Sequence, residues 1–167
     1  MLAAACVLAG GLSRRFGSDK ALHLVQGEPM VLRVARVLAT AGVDVFAVSR
    51  HMRGLPIPEL VEDDGPRHPL WGVATGLRYA RGSVLFAPCD LPAIGTTHVQ
   101  RLLAEGESVH ALEQPLLCVV RAEHAALAAE WATAGRSVRS FMVATGSKAV
   151  DVGPLLNLNQ PTGGAAG

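Results

Sequence analysis

The sequence predicts an α/β protein, a single three-layer α/β/α domain around a mostly parallel sheet. The chain has 167 residues, of which 50% are hydrophobic, enough for one globular domain with a substantial core. Short apolar runs ended by Gly, Pro or Asp alternate with longer segments of helical spacing. Connections between parallel strands are right-handed, so the helices cover both faces of the sheet.

The first half of the chain supplies four predicted strands and two predicted helices. The first strand is the apolar run LAAACVLA, which ends just before two glycines. The segment after Pro29 places Val31, Val34 and Leu38 on one helical face. The other elements are a strand over Val43–Ser49, a strand over Glu59–Asp63, a helix opened by Pro69, and the strand SVLFAPCD, which runs into Asp90.

The second half of the chain continues the alternation of strands and helices. Its predicted elements are a helix near Thr96–Ala104, strands near Val109–Leu112 and Leu116–Val120, helices over Ala122–Thr133 and Ser137–Thr145, and a strand near Lys148–Val152. We place the domain at residues 1–159. Residues 160–167 form a low-complexity C-terminal tail, because they lack the apolar spacing needed to pack.

Charge and cysteine usage limit the classes of partner and compartment. The net charge of +1 gives no field that favours nucleic acid or an anionic membrane, so we expect neither as a partner. The apolar N-terminus is too short for a signal peptide core or a membrane span, which predicts a cytoplasmic protein. Cys6, Cys89 and Cys118 are far apart and lie in apolar runs, so we expect buried, reduced thiols.

Three polar or glycine positions follow predicted strand ends. Gly10, Asp63 and Asp90 each come just after a candidate strand. In mostly parallel sheets, ligands bind beyond the carboxyl ends of the strands. We therefore expect these three loops to meet at one crevice.

The loop after the first strand reads LAGGLSRRFGSDKAL, from Leu8 to Leu22. Its glycines let backbone N–H groups approach phosphate oxygens, and Arg14, Arg15 and Lys20 add positive charge. The pattern matches neither a Walker motif nor G-x-G-x-x-G. In the alternative interpretation, the glycines only make turns and the cationic side chains are solvated.

Several motifs in order resemble one family. The loop at residues 8–22 is followed by ED at Glu62–Asp63, PLWG at 69–72, PCDLP at 88–92 and NLNQP at 157–161. This series resembles the molybdenum cofactor guanylyltransferases, which belong to the glycosyltransferase-A-like nucleotidyltransferases with a Rossmann-like fold. The sequence departs from the family at Phe16, where Met is usual, and at 160–163, where an acidic helix start is missing.

The resemblance implies a reaction and its participants. The enzyme would use Mg²⁺ to transfer GMP from GTP to the phosphate of molybdenum-bound molybdopterin, giving molybdopterin guanine dinucleotide and pyrophosphate. Further implied partners are a GTP-binding helper protein and the molybdoenzymes that accept the cofactor.

The resemblance and the chemistry together assign the catalytic and metal-binding residues. Asp90 is expected to hold Mg²⁺, because a carboxylate at the end of a buried strand is costly unless it has a partner. Lys20 and Arg15 are expected to neutralise phosphate charge, so the catalytic set is Lys20, Arg15 and Asp90. In the alternative interpretation, Asp90 is a turn residue that caps the helix beginning near Gly95.

The remaining assignments concern the nucleotide and the second substrate. The resemblance places Asp63 near the base or ribose, although it could be a simple loop acid. Asn157 and Asn159 would face molybdopterin or support the metal site, or else serve as turn residues. The implied nucleotide-binding set is Leu8, Ala9, Gly10, Gly11, Lys20, Asp63 and Asp90.

Two other functions remain open at this stage. One is a related nucleotidyltransferase that uses CTP or a sugar phosphate. The other is a non-catalytic molybdopterin carrier on the same fold, suggested by the altered segment at 157–163. A comparison of turnover with different nucleotides separates these alternatives.

Overall fold

The computed structural model describes residues 1–10, 19–63 and 65–156 of the chain. Two single-turn 3-10 helices, Lys20–Leu22 and Ala122–His124, accompany the longer elements. The strands are β1 (Leu2–Leu8), β2 (Leu24–Val25), β3 (Glu28–Pro29), β4 (Val45–Ser49), β5 (Glu59–Val61), β6 (Ser83–Pro88), β7 (Val109–Ala111), β8 (Cys118–Val120) and β9 (Lys148–Val150). The helices are α1 (Met30–Ala39), α2 (Pro69–Ala80), α3 (Thr96–Leu103), α4 (Ala125–Thr133) and α5 (Val138–Ala144).

Seven strands form one sheet in the order β5-β4-β1-β6-β8-β7-β9. Strand β8 runs antiparallel to both of its neighbours, and every other pair in this sheet is parallel. The predicted mostly parallel sheet is therefore confirmed. Leu8 pairs with Val48 on one side and with Pro88 on the other, so β1, β4 and β6 end at the same level.

Helices pack on both faces of the sheet, which confirms the three-layer arrangement. Helices α1 and α3 share one buried cluster with alternate residues of β1, β4 and β6. Helices α2, α4 and α5 share the other cluster with the intervening residues of the same strands. The face predicted for α1 is also confirmed, since Val31, Val34 and Leu38 are fully buried in the first cluster.

A short hairpin between the first loop and α1 is missing from the sequence prediction. Strands β2 and β3 pair antiparallel across Gln26 and Gly27, whose φ angles are 52° and 80°. Left-handed φ values at both turn residues are typical of the two-residue hairpin turn that matches strand twist. Gln-Gly is a weaker signal for this turn than Asn-Gly, and two-residue strands carry no readable alternation.

Helix α2 lies unusually close to the sheet. It begins at Pro69, as predicted, and the His68 ring accepts a hydrogen bond from the Leu70 N–H at 3.2 Å. A Cβ on Gly72 would lie 2.8 Å from Leu8 Cδ2, and one on Gly76 would lie 2.7 Å from Phe86 Cε1. Two glycines one turn apart therefore allow the helix to seat directly on β1 and β6.

Two expectations about the whole chain can be compared with the structure. All three cysteines are buried and free, as the sequence predicts. Within the described ranges, no helix has the length and apolar character needed to cross a membrane.

Candidate nucleotide site at the carboxyl edge of the sheet

The loops that follow β1, β4, β5 and β6 are joined at the carboxyl edge of the sheet by backbone hydrogen bonds. The Leu8 carbonyl accepts from the Cys89 N–H at 3.1 Å, and the Ala9 N–H donates to the Val48 carbonyl at 2.8 Å. The Glu62 N–H donates to the Ser49 carbonyl at 2.9 Å. Gly10 and Asp90 therefore follow two neighbouring strand ends that are held together. This is the convergence that the strand order requires.

Charged residues from separate loops affect the titration of the buried thiol of Cys89. Burial and the charge of Asp90 raise the pKa of Cys89 to about 12, while Arg53 and Lys20 oppose the shift. The charge of Asp19 also raises the pKa of this thiol. Hydrogen bonds from Arg53 to Asp19 and to the Ala9 carbonyl place the turn that carries Lys20 beside the end of β1, where the Leu8 carbonyl accepts from the Cys89 N–H. The thiol stays protonated near neutral pH, which makes Cys89 a spacer and not a nucleophile.

Asp90 is the candidate ligand for a hard cation. It comes two residues after β6, is half-buried, and one of its carboxylate oxygens, Oδ1, is inaccessible to solvent. In the described part of the chain, no group of three or more His, Cys, Asp and Glu side chains could hold a metal ion. Mg²⁺ is commonly bound by one or two carboxylates together with substrate phosphates and waters. The donor set at Asp90 fits that shared mode of binding.

Lys20 is carried by the 3-10 turn that begins after Asp19. The Asp19 carboxylate caps this turn by accepting from the Ala21 N–H at 3.1 Å. The same carboxylate is bound by the Arg53 guanidinium, with Nε at 2.5 Å from Oδ2 and Nη2 at 3.1 Å from Oδ1. Burial opposes ionisation of Asp19, but hydrogen bonds and the charge of Arg53 outweigh it, so its pKa lies below the usual value.

A buried ion pair lies beside Gly10. Glu62 is 8% exposed, and Arg50 Nε lies 3.0 Å from its Oε1. A Cβ on Gly10 would stand 3.2 Å from Glu62 Oε2, and a Cβ on Gly72 would stand 3.6 Å from it. Desolvation raises the pKa of Glu62 despite the opposing charge of Arg50. Glycine at both positions leaves space over this carboxylate oxygen.

The structure separates the two acids of the ED motif. Asp63 is exposed, and its Oδ2 lies 2.5 Å from Arg78 Nη1 on α2. Its predicted role in binding the base or ribose stays a prediction. Glu62, which the sequence analysis did not select, is the buried member of the pair. Strand alternation could have indicated that Glu62 is buried, because it follows the exposed Val61 at the end of β5.

Apart from the exposed Asp63, the predicted site residues divide into two groups. Leu8 and Ala9 are buried at the end of β1, Gly10 and Lys20 are partly exposed, and Asp90 adjoins them through Cys89. The other group lies outside the described residues and keeps its predicted roles untested; it comprises Gly11, Arg15, Asn157, Asn159 and the tail at 160–167.

Comparison with known protein families gives one match that covers most of the chain. The family model for the MobA-like NTP transferase domain matches residues 5–149. A protein of Synechococcus elongatus named "Probable molybdenum cofactor guanylyltransferase" is 32% identical, over 95% of this chain and 94% of its own. The "Molybdenum cofactor guanylyltransferase" of Burkholderia vietnamiensis is 36% identical, over 71% of this chain and 63% of its own.

The fold is also found in solved structures. The crystal structure of molybdopterin-guanine dinucleotide biosynthesis protein A from Archaeoglobus fulgidus superposes with a TM-score of 0.74 and 18% identity. The alignment covers 89% of this chain and 83% of that one. This likeness confirms the predicted nucleotidyltransferase fold class.

Proposed function

The chain belongs to the family of MobA-like NTP transferases and is a nucleotidyltransferase, and we propose that it transfers GMP from GTP to the phosphate of molybdopterin. The products are molybdopterin guanine dinucleotide and pyrophosphate. The names of the relatives support a role in molybdenum cofactor biosynthesis. The observation that carries the proposal is that the end of β1 before Gly10, the turn that carries Lys20 and the backbone leading into Asp90 are joined by hydrogen bonds at one edge of the sheet.

The proposed reaction needs charge neutralisation and alignment. A phosphate oxygen of molybdopterin bonds to the α-phosphorus of GTP, the bond from that phosphorus to the bridging oxygen breaks, and pyrophosphate leaves with the electron pair. Lys20 offsets the negative charge of the phosphates, and the small residues Ala9 and Gly10 admit the nucleotide close to the backbone. The attacking phosphate is already anionic near neutral pH, so the step requires no general base.

Asp90 is the described residue that would hold Mg²⁺. When bound, the ion would neutralise charge on the triphosphate as pyrophosphate departs. The hydrogen bond from the Cys89 N–H to the Leu8 carbonyl ties the backbone that leads into Asp90 to the end of β1. The metal would then be placed by the same backbone that binds the nucleotide.

The Arg50–Glu62 pair is the candidate for recognising guanine. Guanine presents two adjacent donors, N1–H and the N2 amine, beside the acceptor O6. Glu62 Oε2, which lies near Gly10, would accept from these donors, and the partly exposed Arg50 would donate to O6. Cytosine and adenine lack two adjacent donors on this edge, so the pair favours GTP.

Replacing Glu62 with glutamine is expected to reduce the preference for GTP over CTP. A lost hydrogen bond to a charged group corresponds to about a tenfold to hundredfold drop in the ratio of the two kcat/KM values. Inosine triphosphate, which lacks the N2 amine, should show a smaller change than GTP. Glu123→Gln, at an exposed position on the 3-10 turn before α4, is the matched control and should keep the wild-type ratio.

The raised pKa of Glu62 gives the same variant a stability signature. The folded state binds the Glu62 proton more tightly than the unfolded state does, so this group lowers wild-type stability as pH rises above 4.5 through the folded pKa. Glu62→Gln lacks this titration. Its unfolding free energy relative to wild type should therefore rise across that window in urea titrations, and an unchanged difference would contradict the assignment.

The proposed function is tested by incubating the protein with Mg²⁺, molybdopterin and each of GTP, CTP and ATP. Pyrophosphate release and the mass of the product are both measured. Turnover that requires GTP and yields the guanine dinucleotide supports the proposal. Turnover with CTP instead of GTP would identify a related cytidylyltransferase, and molybdopterin binding without any turnover would identify a carrier. Either result rejects the proposal.

A further inference from the structure

Arg53 is a buried arginine in the loop between β4 and β5, outside the set of residues that the sequence assigns to the site. Its side chain is 5% exposed. Nε and Nη2 bind the Asp19 carboxylate, and Nη2 also donates to the Ala9 carbonyl at 3.1 Å. Nη1 is buried and has no hydrogen-bond acceptor in the described structure. A buried donor of a charged group costs free energy when it has no acceptor, so its retention calls for an explanation.

The two partners of Arg53 lie at opposite ends of the glycine-rich loop. Ala9 directly follows β1, and Asp19 is the N-cap of the turn that carries Lys20. One planar guanidinium therefore fixes the separation between Ala9 and Asp19. A guanidinium holds several acceptors in a fixed fork, which an ammonium group does not.

Arg53 is itself held in place from β5. Glu59 Oε1 accepts from the backbone N–H of Arg53 at 2.8 Å, and Oε2 accepts from the backbone N–H of Leu55 at 2.9 Å. Burial opposes ionisation of Glu59, yet these backbone hydrogen bonds hold its pKa below the usual value. A continuous set of contacts thus runs from Glu59 through Arg53 to Asp19, next to Lys20.

We propose that Arg53 is a positioning residue that clasps the base of the glycine-rich loop and sets Lys20 against the triphosphate. The clasp lies close to the site, because Arg53 Nη2 donates to the carbonyl of Ala9, the residue directly before Gly10. This inference rests on the proposed nucleotidyl transfer, but it applies to whichever nucleoside triphosphate the enzyme uses.

The test compares Arg53→Ala and Arg53→Lys with wild type in GTP binding and in steady-state turnover. Arg53→Ala should lower kcat/KM for the nucleotide about tenfold to a hundredfold. Millimolar guanidine should restore part of that loss by occupying the vacated space. Arg53→Lys should recover little, because an ammonium group cannot bridge Asp19 and the Ala9 carbonyl. Adding Asp19→Asn to Arg53→Ala should not increase the loss, because Asp19 and Arg53 act through the same contact.

Arg36→Ala is the matched control. Arg36 also pairs with a carboxylate through two bonds, to Glu28 at 3.2 and 3.0 Å, but on the exposed surface of α1. It should keep wild-type kcat/KM and show no response to guanidine. The thermal midpoints of all variants are measured alongside, so that a loss of folding is separated from a loss of positioning.

The proposal is overturned if folded Arg53→Ala turns over the nucleotide as well as wild type does, or if its defect is insensitive to guanidine and matches its loss of stability. If wild type prefers another nucleotide to GTP, the proposed substrate is wrong, and the Arg53 variants are then compared with wild type using that nucleotide. If wild type binds no nucleotide at all, both proposals fall.

Discussion

Replacing Asp90 with asparagine is expected to lower kcat for nucleotidyl transfer about a hundredfold to a thousandfold while the fold is kept. The change keeps the shape of the side chain but removes the charge that would hold a divalent cation against the triphosphate. The half-buried side chain stands in the loop after β6 and not in the hydrophobic core, so the thermal midpoint should change little. Pyrophosphate release under saturating GTP and molybdopterin measures the effect.

Asp44→Asn provides the control for that experiment. Asp44 is exposed and lies before β4, at the opposite edge of the sheet from Asp90, so the same chemical change there should leave kcat unaltered. A higher Mg²⁺ or Mn²⁺ concentration should recover part of the Asp90→Asn activity. Turnover within about tenfold of wild type would contradict the role of Asp90, since a lost carboxylate ligand is worth more than that.

Replacing Gly76 with valine is expected to destabilise the protein by about 1–3 kcal/mol, the usual cost of overpacking a core. The new Cβ would begin 2.7 Å from Phe86 Cε1 and 3.6 Å from Cys6 Sγ. Phe86→Ala, at a fully buried position, should cost about 3–5 kcal/mol by opening a cavity. The double variant should be more stable than the sum of the two losses predicts, because the valine fills space left by the ring.

Urea unfolding of the four proteins in this cycle gives the coupling between Gly76 and Phe86. Thr75→Val is the matched control, since Thr75 is only partly buried on the same helix and should show no coupling to Phe86→Ala. Strictly additive losses at Gly76 and Phe86 would show that α2 does not seat on β6 as closely as described. The seating matters for the site because the same helix face places Gly72 over Leu8 and Glu62.

Local sequence signals were sufficient for most of the fold. Strand β1 is an uninterrupted apolar run, and β6 is apolar after Ser83, as expected of central strands buried on both faces. Helix α2 opens at Pro69, and α5 begins after the N-cap Ser137, whose hydroxyl accepts from the Ser140 N–H at 3.1 Å. Both helix starts have residues whose preference for that position is local. The hairpin β2–β3 lacks such a signal.

The candidate site was predictable only in part. Gly10 and Asp90 follow strand ends, and parallel topology alone places such positions at one edge. Arg53 binds Asp19 and Ala9, which are 34 and 44 residues away in the chain. Glu62 is a candidate because Gly10 and Gly72 leave space beside its carboxylate. Nothing local to Arg53 marks it, since a lone arginine in a polar loop usually faces solvent. These contacts exist only after the chain has folded.

The most direct test of the account is a crystal structure of the protein with Mn²⁺ and a non-reactive GTP analogue, with the metal located by its anomalous signal. The account predicts a Mn²⁺ peak at bonding distance from an Asp90 carboxylate oxygen and from the triphosphate. It also predicts the nucleotide against Leu8–Gly10 and the Lys20 ammonium on a phosphate. A nucleotide and metal bound elsewhere, with Asp90 too far away to coordinate the ion, would contradict it.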